Sequence, residues 1–216
     1  MATTIIRAPR RPRQAAPLLG ALSGAFLLCL SATSSAAGGV EAHDGFLLRL
    51  TLGLGYGSGT EEQPIVGDVT LSGAAGFFSL DLGGALTQNL VLHGRLSDMV
   101  LVNPTVSIGG EELGTIDDAS LTFYLLGAGL TYYLMPANVY LTGVVGVTKA
   151  KADNGENTGE SSDAGFGFEG DIGKEWWVSD NWGIGIAGRF TYASVPDDAA
   201  RLNAFGLGVL FSATYQ

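Results

Sequence analysis

Eight ionisable residues stand at spacings that could act together: Arg49, Asp81, His93, Arg95, Glu169, Asp171, Glu175 and Arg189. Carboxylates, guanidinium groups and one imidazole admit three kinds of chemistry: structural ion pairing, a polar path for ions or small solutes, and acid–base catalysis. Nucleophilic catalysis needs a nucleophile within hydrogen-bond reach of a base. The only histidines are His43 and His93, and Ser97 follows His93 by four residues. On an extended chain those two share a face but lie about 13 Å apart, out of contact. No catalytic residue is therefore expected, and the chain is read as a non-enzyme. The outlying alternative is a lipid-modifying enzyme.

Metal and cofactor chemistry is equally thin. Cys29 is the sole cysteine, and it sits in an apolar N-terminal run, so neither a disulfide nor a Cys metal site is expected after processing. The loop acids Glu61, Glu62, Glu111, Glu112, Asp117, Asp118, Asp153, Glu156, Glu160, Asp163, Asp197 and Asp198 could bridge divalent cations to anionic headgroups. A solvated, repulsive surface is the favoured reading, because no ligand spacing stands out. Asp153 to Glu160 departs from a calcium-binding EF-hand loop, with Gly155 too early. No cofactor is expected.

The elements that must position the eight residues are strands. Phe46, Leu48, Leu50, Leu52, Leu54 and Tyr56 alternate with Arg49, Thr51, Gly53, Gly55 and Gly57, a period of two that gives a strand one oily face. Similar stretches occur at 45–57, 70–84, 90–101, 119–134, 139–150, 164–178, 182–194 and 201–215. Their length exceeds the roughly 5–6 residues of a globular strand and suits the about 9–11 of a tilted membrane-spanning one. Connections after the first, third, fifth and seventh are long or acidic (58–69, 102–118, 151–163, 195–200). Those after the second, fourth and sixth are tight (85–89, 135–138, 179–181). That asymmetry belongs to outer-membrane barrels, with short periplasmic turns and longer external loops. The expected fold is all-β, an eight-stranded antiparallel up-and-down transmembrane β-barrel with both termini periplasmic.

Membrane insertion decides which face is inside. The polar face is Gly, Thr, Ser and Ala with little Lys or Glu, and charge is only 15% of the chain. Aromatics gather at strand ends, as amphipathic rings favour headgroup interfaces. Phe46, Tyr132, Tyr133, Tyr140, Trp176, Trp177, Trp182 and Tyr215 map to the turn side, and Tyr56, Tyr124, Phe166, Phe168 and Tyr192 to the loop side. The expected interface residues on the turn side are Tyr132, Tyr140, Trp176, Trp177, Trp182 and Tyr215. The eight ionisable residues then point inward, where charges are costly unless paired. Residues opposite each other across an antiparallel turn have a constant sum, which pairs Asp171 with Arg189 and Asp81 with Arg95. Arg49 could reach Asp81 across the first hairpin. Recurrent inward Gly makes room for these side chains in an interior just wide enough to be filled. A closed, charged lumen is expected. It argues against an oily one and leaves a narrow channel for ions or small solutes as the alternative.

The N-terminus reads as an export signal. Arg7, Arg10, Arg11 and Arg13 precede an apolar run from Leu18 to Leu30 and the small residues Ser31 to Ala37. The expected organisation is a cleaved signal over 1–37 and a barrel domain over 38–216. Four of the 11 basic residues precede Ala37 and none of the 21 acidic ones do, so cleavage shifts the formal charge from −10 to −14. A chain this acidic is a poor match for nucleic acid.

Phe205, Leu207, Val209, Phe211, Ala213 and Tyr215 close the chain at every second position. With the eight alternating strands, this ending resembles the small bacterial outer-membrane β-barrel proteins of the OmpA/OmpX type. The resemblance implies a C-terminal assembly signal at Val209, Phe211, Ala213 and Tyr215, read by the barrel assembly machinery, and a bacterial outer-membrane location among outer-membrane lipids. Gln216 after the last aromatic and the small Ala213 depart from the usual ending. A structural or surface-interaction role is the expectation.

Overall fold

Alternating aliphatic and small residues favour extended backbone, because only a strand presents successive side chains to opposite environments. The computed structural model describes residues 45–61, 67–154, 158–197 and 200–216. Its strands are β1 (Phe46–Glu61), β2 (Val69–Thr87), β3 (Leu90–Val102), β4 (Thr105–Ile108), β5 (Glu111–Thr115), β6 (Ser120–Leu134), β7 (Val139–Asp153), β8 (Thr158–Ser161), β9 (Gly165–Trp177), β10 (Trp182–Asp197) and β11 (Ala200–Tyr215).

Eight of these form the barrel. The path β1-β2-β3-β6-β7-β9-β10-β11 is antiparallel throughout, and β11 pairs back onto β1 from Leu48↔Tyr215 to Glu61↔Leu202. Following partners once round from Leu50 passes Leu80, Leu96, Leu126, Val147, Phe166, Ser194 and Asn203 and returns at Thr60. The stagger from Leu50 to Thr60 on eight strands tilts them by about 40° from the barrel axis. The first and last residues of the barrel lie at the end that carries the tight turns.

Several segments differ from the sequence-based ranges. Ser58 to Glu61 is strand, not loop, because it keeps its ladder with Thr70 and Val69 on one side and Asn203 and Leu202 on the other. Hydrogen bonding thus continues where the apolar pattern stops, and β7 and β10 lengthen in the same way. Within 102–118, β4 and β5 form a hairpin over Gly109 and Gly110, both at positive φ (58° and 88°), and β4 docks on the upper part of β2. Glycine adopts that conformation without steric cost.

Burial settles the two faces. Leu54 is 77% exposed and Arg49 only 1%, although they share one strand. The oily face looks out and the Gly- and Thr-rich face looks in, the reverse of a water-soluble sandwich. The interior has two levels. Toward the turns it holds the charged residues. Toward the loops it holds Ala75, Phe77, Met99, Leu101, Leu121, Phe123 and Leu125, all buried. The expectation of a lumen without an oily part is therefore corrected: the loop-side half is an apolar core. Large side chains fit there because β11 offers glycine opposite them. A Cβ on Gly206 would lie 2.3 Å from Met99 Sδ, and one on Gly208 2.8 Å from the Phe77 ring.

Candidate functional site: the lumen charge network

The eight ionisable residues are all buried on the inward face. Asp81 stands directly opposite Arg95 across β2–β3, and Asp171 opposite Arg189 across β9–β10. Arg95 is the hub. Its Nε and Nη2 donate to the two oxygens of Asp81 at 2.6 and 2.7 Å, and its Nη1 reaches Glu169 Oε2 at 2.9 Å and Asp171 Oδ2 at 2.8 Å. Arg189 grips Asp171 in the same two-pronged way, at 2.7 and 3.0 Å, and donates across the barrel to Ser79 Oγ at 3.0 Å. Its Nη1 lies 3.5 Å from Glu169. Paired forks of this kind are among the strongest and most directional side-chain contacts.

Arg49 forms the lower part of the network. Nη2 meets Glu175 Oε1 at 3.1 Å, Nε donates to Thr214 Oγ1 at 3.2 Å, and Nη1 is 4.0 Å from Asp81. The Tyr133 hydroxyl accepts a further bond from Nη2. The guanidinium sits 4.2 Å from the Tyr140 ring centre, a buried cation–π contact. Glu175 also accepts from Thr214 Oγ1 at 2.6 Å and Tyr133 OH at 3.2 Å, and Gln216 Nε2 donates to Tyr133 OH at 2.7 Å. Gln216 thus helps close the turn end.

His93 stands apart from the ion pairs. Its Nε2 hydrogen-bonds Thr131 Oγ1 at 3.1 Å, and Thr131 in turn bonds Thr142 at 2.8 Å. Ser97 donates to Glu169 Oε1 at 2.9 Å rather than to any histidine. Burial in low dielectric strengthens each of these bonds and penalises any that is broken. The arrangement can lock eight strands at one circumference.

Sequence reasoning missed Tyr133, Tyr140, Thr131, Thr214 and Ser79 as network members. Parity was the available signal, since Tyr133 and Thr131 share the phase of Gly129 and Gly127. It also corrects two of the expected interface residues. Tyr140 is 1% exposed and faces the lumen, and Trp177 falls half-buried on the inward phase. In Tyr132-Tyr133 and Trp176-Trp177 only one ring of each pair can face out. Tyr132, Trp176, Trp182 and Tyr215 do face out, with Trp182 and Tyr215 edge-to-face at 5.4 Å. Lys174 lies over Trp176 at 5.7 Å and donates to the Ala137 carbonyl, its charge drawn to the turn-side rim. Val209, Phe211 and Tyr215 are exposed on the outer face of β11, and Ala213 is half-buried between them. Among the described residues, no three His, Cys, Asp or Glu side chains converge on a metal-sized site. Glu62, Glu156 and Asp198 lie outside the described residues, as does the proposed signal over 1–37.

The family model described as the outer membrane protein beta-barrel domain matches residues 25–212. The chain belongs to this family. Membership of the outer membrane protein β-barrel family gives the oily outer face its solvent, the hydrocarbon of the bacterial outer membrane. Solved structures similar to it include Neisserial surface protein A, at 14% identity over 78% of this chain and 96% of that one, with a TM-score of 0.48. Ail, the attachment invasion locus protein of Yersinia pestis, is similar at 15% identity, 78% and 99% coverage and a TM-score of 0.43. The outer membrane protease OmpT from Escherichia coli is similar at 10% identity, 84% and 99% coverage and a TM-score of 0.43. Likenesses this distant carry no argument about role. No curated protein matches the chain.

Proposed function

We propose that this protein is a non-conducting outer-membrane barrel with a structural or surface-interaction role, inserted with its turns and the ends of β1 and β11 in the periplasm. The supporting observation is the filling of the lumen at two levels, ion-paired toward the turns and apolar toward the loops. Outer-membrane lipids surround the oily band. The outer face of β11 (Val209, Phe211, Ala213, Tyr215) is what the barrel assembly machinery would read. The acidic loop end faces outward as a solvated, repulsive surface. We read the protein as a non-enzyme, since Ser97 and His93 are each engaged by other buried groups.

Reconstitution in a planar bilayer tests this reading, with silence expected across applied potentials; steady single-channel steps would overturn it. Orientation is tested separately. Ser107, on the β4–β5 hairpin, is replaced by Cys and labelled in intact cells with a membrane-impermeant maleimide. Labelling is expected, and labelling only after lysis would invert the barrel. A second reading, passage of small apolar solutes, draws on the glycine-lined apolar upper lumen; uptake of a hydrophobic dye by proteoliposomes separates it from the first.

A further inference from the structure

The first and last barrel strands meet along one ladder, from Leu48↔Tyr215 to Glu61↔Leu202, and its two halves are built differently. In the turn-side half, side chains cross the seam inside the lumen. Arg49 Nε of β1 donates to Thr214 Oγ1 of β11 at 3.2 Å, and Thr214 donates to Glu175 Oε1 of β9 at 2.6 Å. Arg49 Nη2 closes the triangle, 3.1 Å from the same carboxylate oxygen. Gln216, the next inward residue after Thr214, is held at three points. Its N–H donates to the Asn181 carbonyl at 3.0 Å, and its own carbonyl accepts from Asn181 Nδ2 at 2.8 Å. Its Nε2 reaches Tyr133 OH on β6 at 2.7 Å. Hydrogen bonds to charged groups are the strong ones, and burial raises the cost of breaking them.

The loop-side half is held differently. Gly55 faces Gly208 and Gly57 faces Gly206 across the seam, so the inward face lacks the cross-strand side-chain pairs that stabilise neighbouring strands. Glycine also loses more backbone freedom than other residues when it is ordered in a strand. Among the described residues, the side-chain bond from β1 to β11 lies at Arg49 and none lies between Gly53 and Gly59. Phe77 of β2 and Met99 of β3 cover these glycines from inside. They touch β11 by contact alone and can part from it without stranding a polar group. On the outward face the Leu54–Val209 and Tyr56–Leu207 pairs add little, because hydrocarbon replaces one apolar neighbour with another. Below Tyr56, freed amides would lie in hydrocarbon, where each is costly. That confines any parting of the strands to the loop end.

We propose that the seam is a hinged closure. A latch of Arg49, Thr214, Glu175 and Gln216 keeps its turn end shut and in register. Its loop end opens and recloses through the Gly55–Gly208 and Gly57–Gly206 pairs. Reclosure needs no search for a partner strand, because the register is held below.

Hydrogen exchange of the folded protein in detergent, resolved by residue with NMR, tests this, since an amide exchanges as often as its own segment opens. The reference is the loop-side half of β6–β7, residues 121–125 and 148–152. Seam amides of residues 55–59 and 204–208 are expected to exchange about tenfold faster than these, from the cost of ordering facing glycines. Equal rates in the wild-type protein overturn the proposal without any variant. T214V, which removes the hydroxyl at nearly constant shape, should raise exchange at residues 48–51 and 212–215 about tenfold, the effect of one bond to a charged group. T214S keeps the hydroxyl and should behave as wild type. In T214V the β6–β7 amides should not change. A rise in every ladder alike would reduce Thr214 to a contributor to overall stability, and no rise at all would leave the seam without a latch; either result overturns the proposal. A boiling-dependent gel shift reports that each variant is folded, and Q216A gives the same reading if T214V does not fold.

Discussion

The two halves of the lumen solve one problem with opposite chemistry. Toward the turns, three guanidinium groups and four carboxylates fill the space, held by bonds whose geometry admits few alternatives. Toward the loops, Phe77, Met99, Leu101 and Phe123 fill a similar cross-section by contact alone. The charged half fixes distances between strands that are not neighbours, because Arg95 on β3 grips β9 and Arg189 on β10 reaches β2. The apolar half fixes volume and tolerates exchange of one shape for a similar one. Directional bonds therefore hold the turn end, and packing alone holds the region beneath the loops.

Removing the hub should break the comparison most strongly. Arg95→Leu leaves Asp81, Glu169 and Asp171 facing one another with one cation fewer, and a loss of about 3–5 kcal/mol is expected from uncompensated buried charge. Urea unfolding in detergent checks this; an unmoved midpoint would make the network ornamental. Phe77→Ala, in the other half, should cost about 3–4 kcal/mol through the cavity it leaves between Gly206 and Gly208. If the charged half alone carries the barrel, that loss will be absent. Arg189→Leu should cost less than Arg95→Leu, since Arg189 grips one carboxylate closely, and adding Asp171→Leu should recover most of the loss because no charge is then left unpaired. Additive losses in that double variant would refute pairing as the cause. Met99→Leu should change stability by less than about 1.5 kcal/mol, as volume-conserving exchanges in apolar cores do. A larger loss would show the upper half to be as exacting as the lower.

Legibility in the sequence tracked the same division. Contacts between neighbouring strands were readable, because the parity of Asp81 and Arg95, or of Asp171 and Arg189, and their distance from a tight turn fix the register. Contacts across the barrel were not. Arg49 to Glu175 joins β1 to β9, and which of the inward carboxylates it meets depends on the stagger, a property of the closed ring rather than of any hairpin. The apolar upper half was hidden by emphasis on charge: Phe77, Met99, Leu101, Phe123 and Leu125 stand on the same phase as Ser79, Ser97, Gly127 and Gly129, and parity alone would have placed them inside. The aromatics show the converse error: proximity to a turn places Tyr140 and Trp177 in the belt, whereas phase sends them inward. The β4–β5 hairpin left its mark in Gly109-Gly110 between short apolar runs, too brief to register beside the longer strands.

The seam between β1 and β11 joins residues 48–61 to 202–215. Every other barrel ladder joins consecutive barrel strands and can zip as the chain arrives, but this one must wait for the last barrel strand to be in place. Closing so distant a pair makes it the slow event of folding. Until it occurs, both ends of the nascent sheet display a full row of unpaired amides and carbonyls. The time this protein spends as an open ribbon, vulnerable to proteases and to pairing with the wrong partner, is therefore set by how quickly its first and last strands find each other.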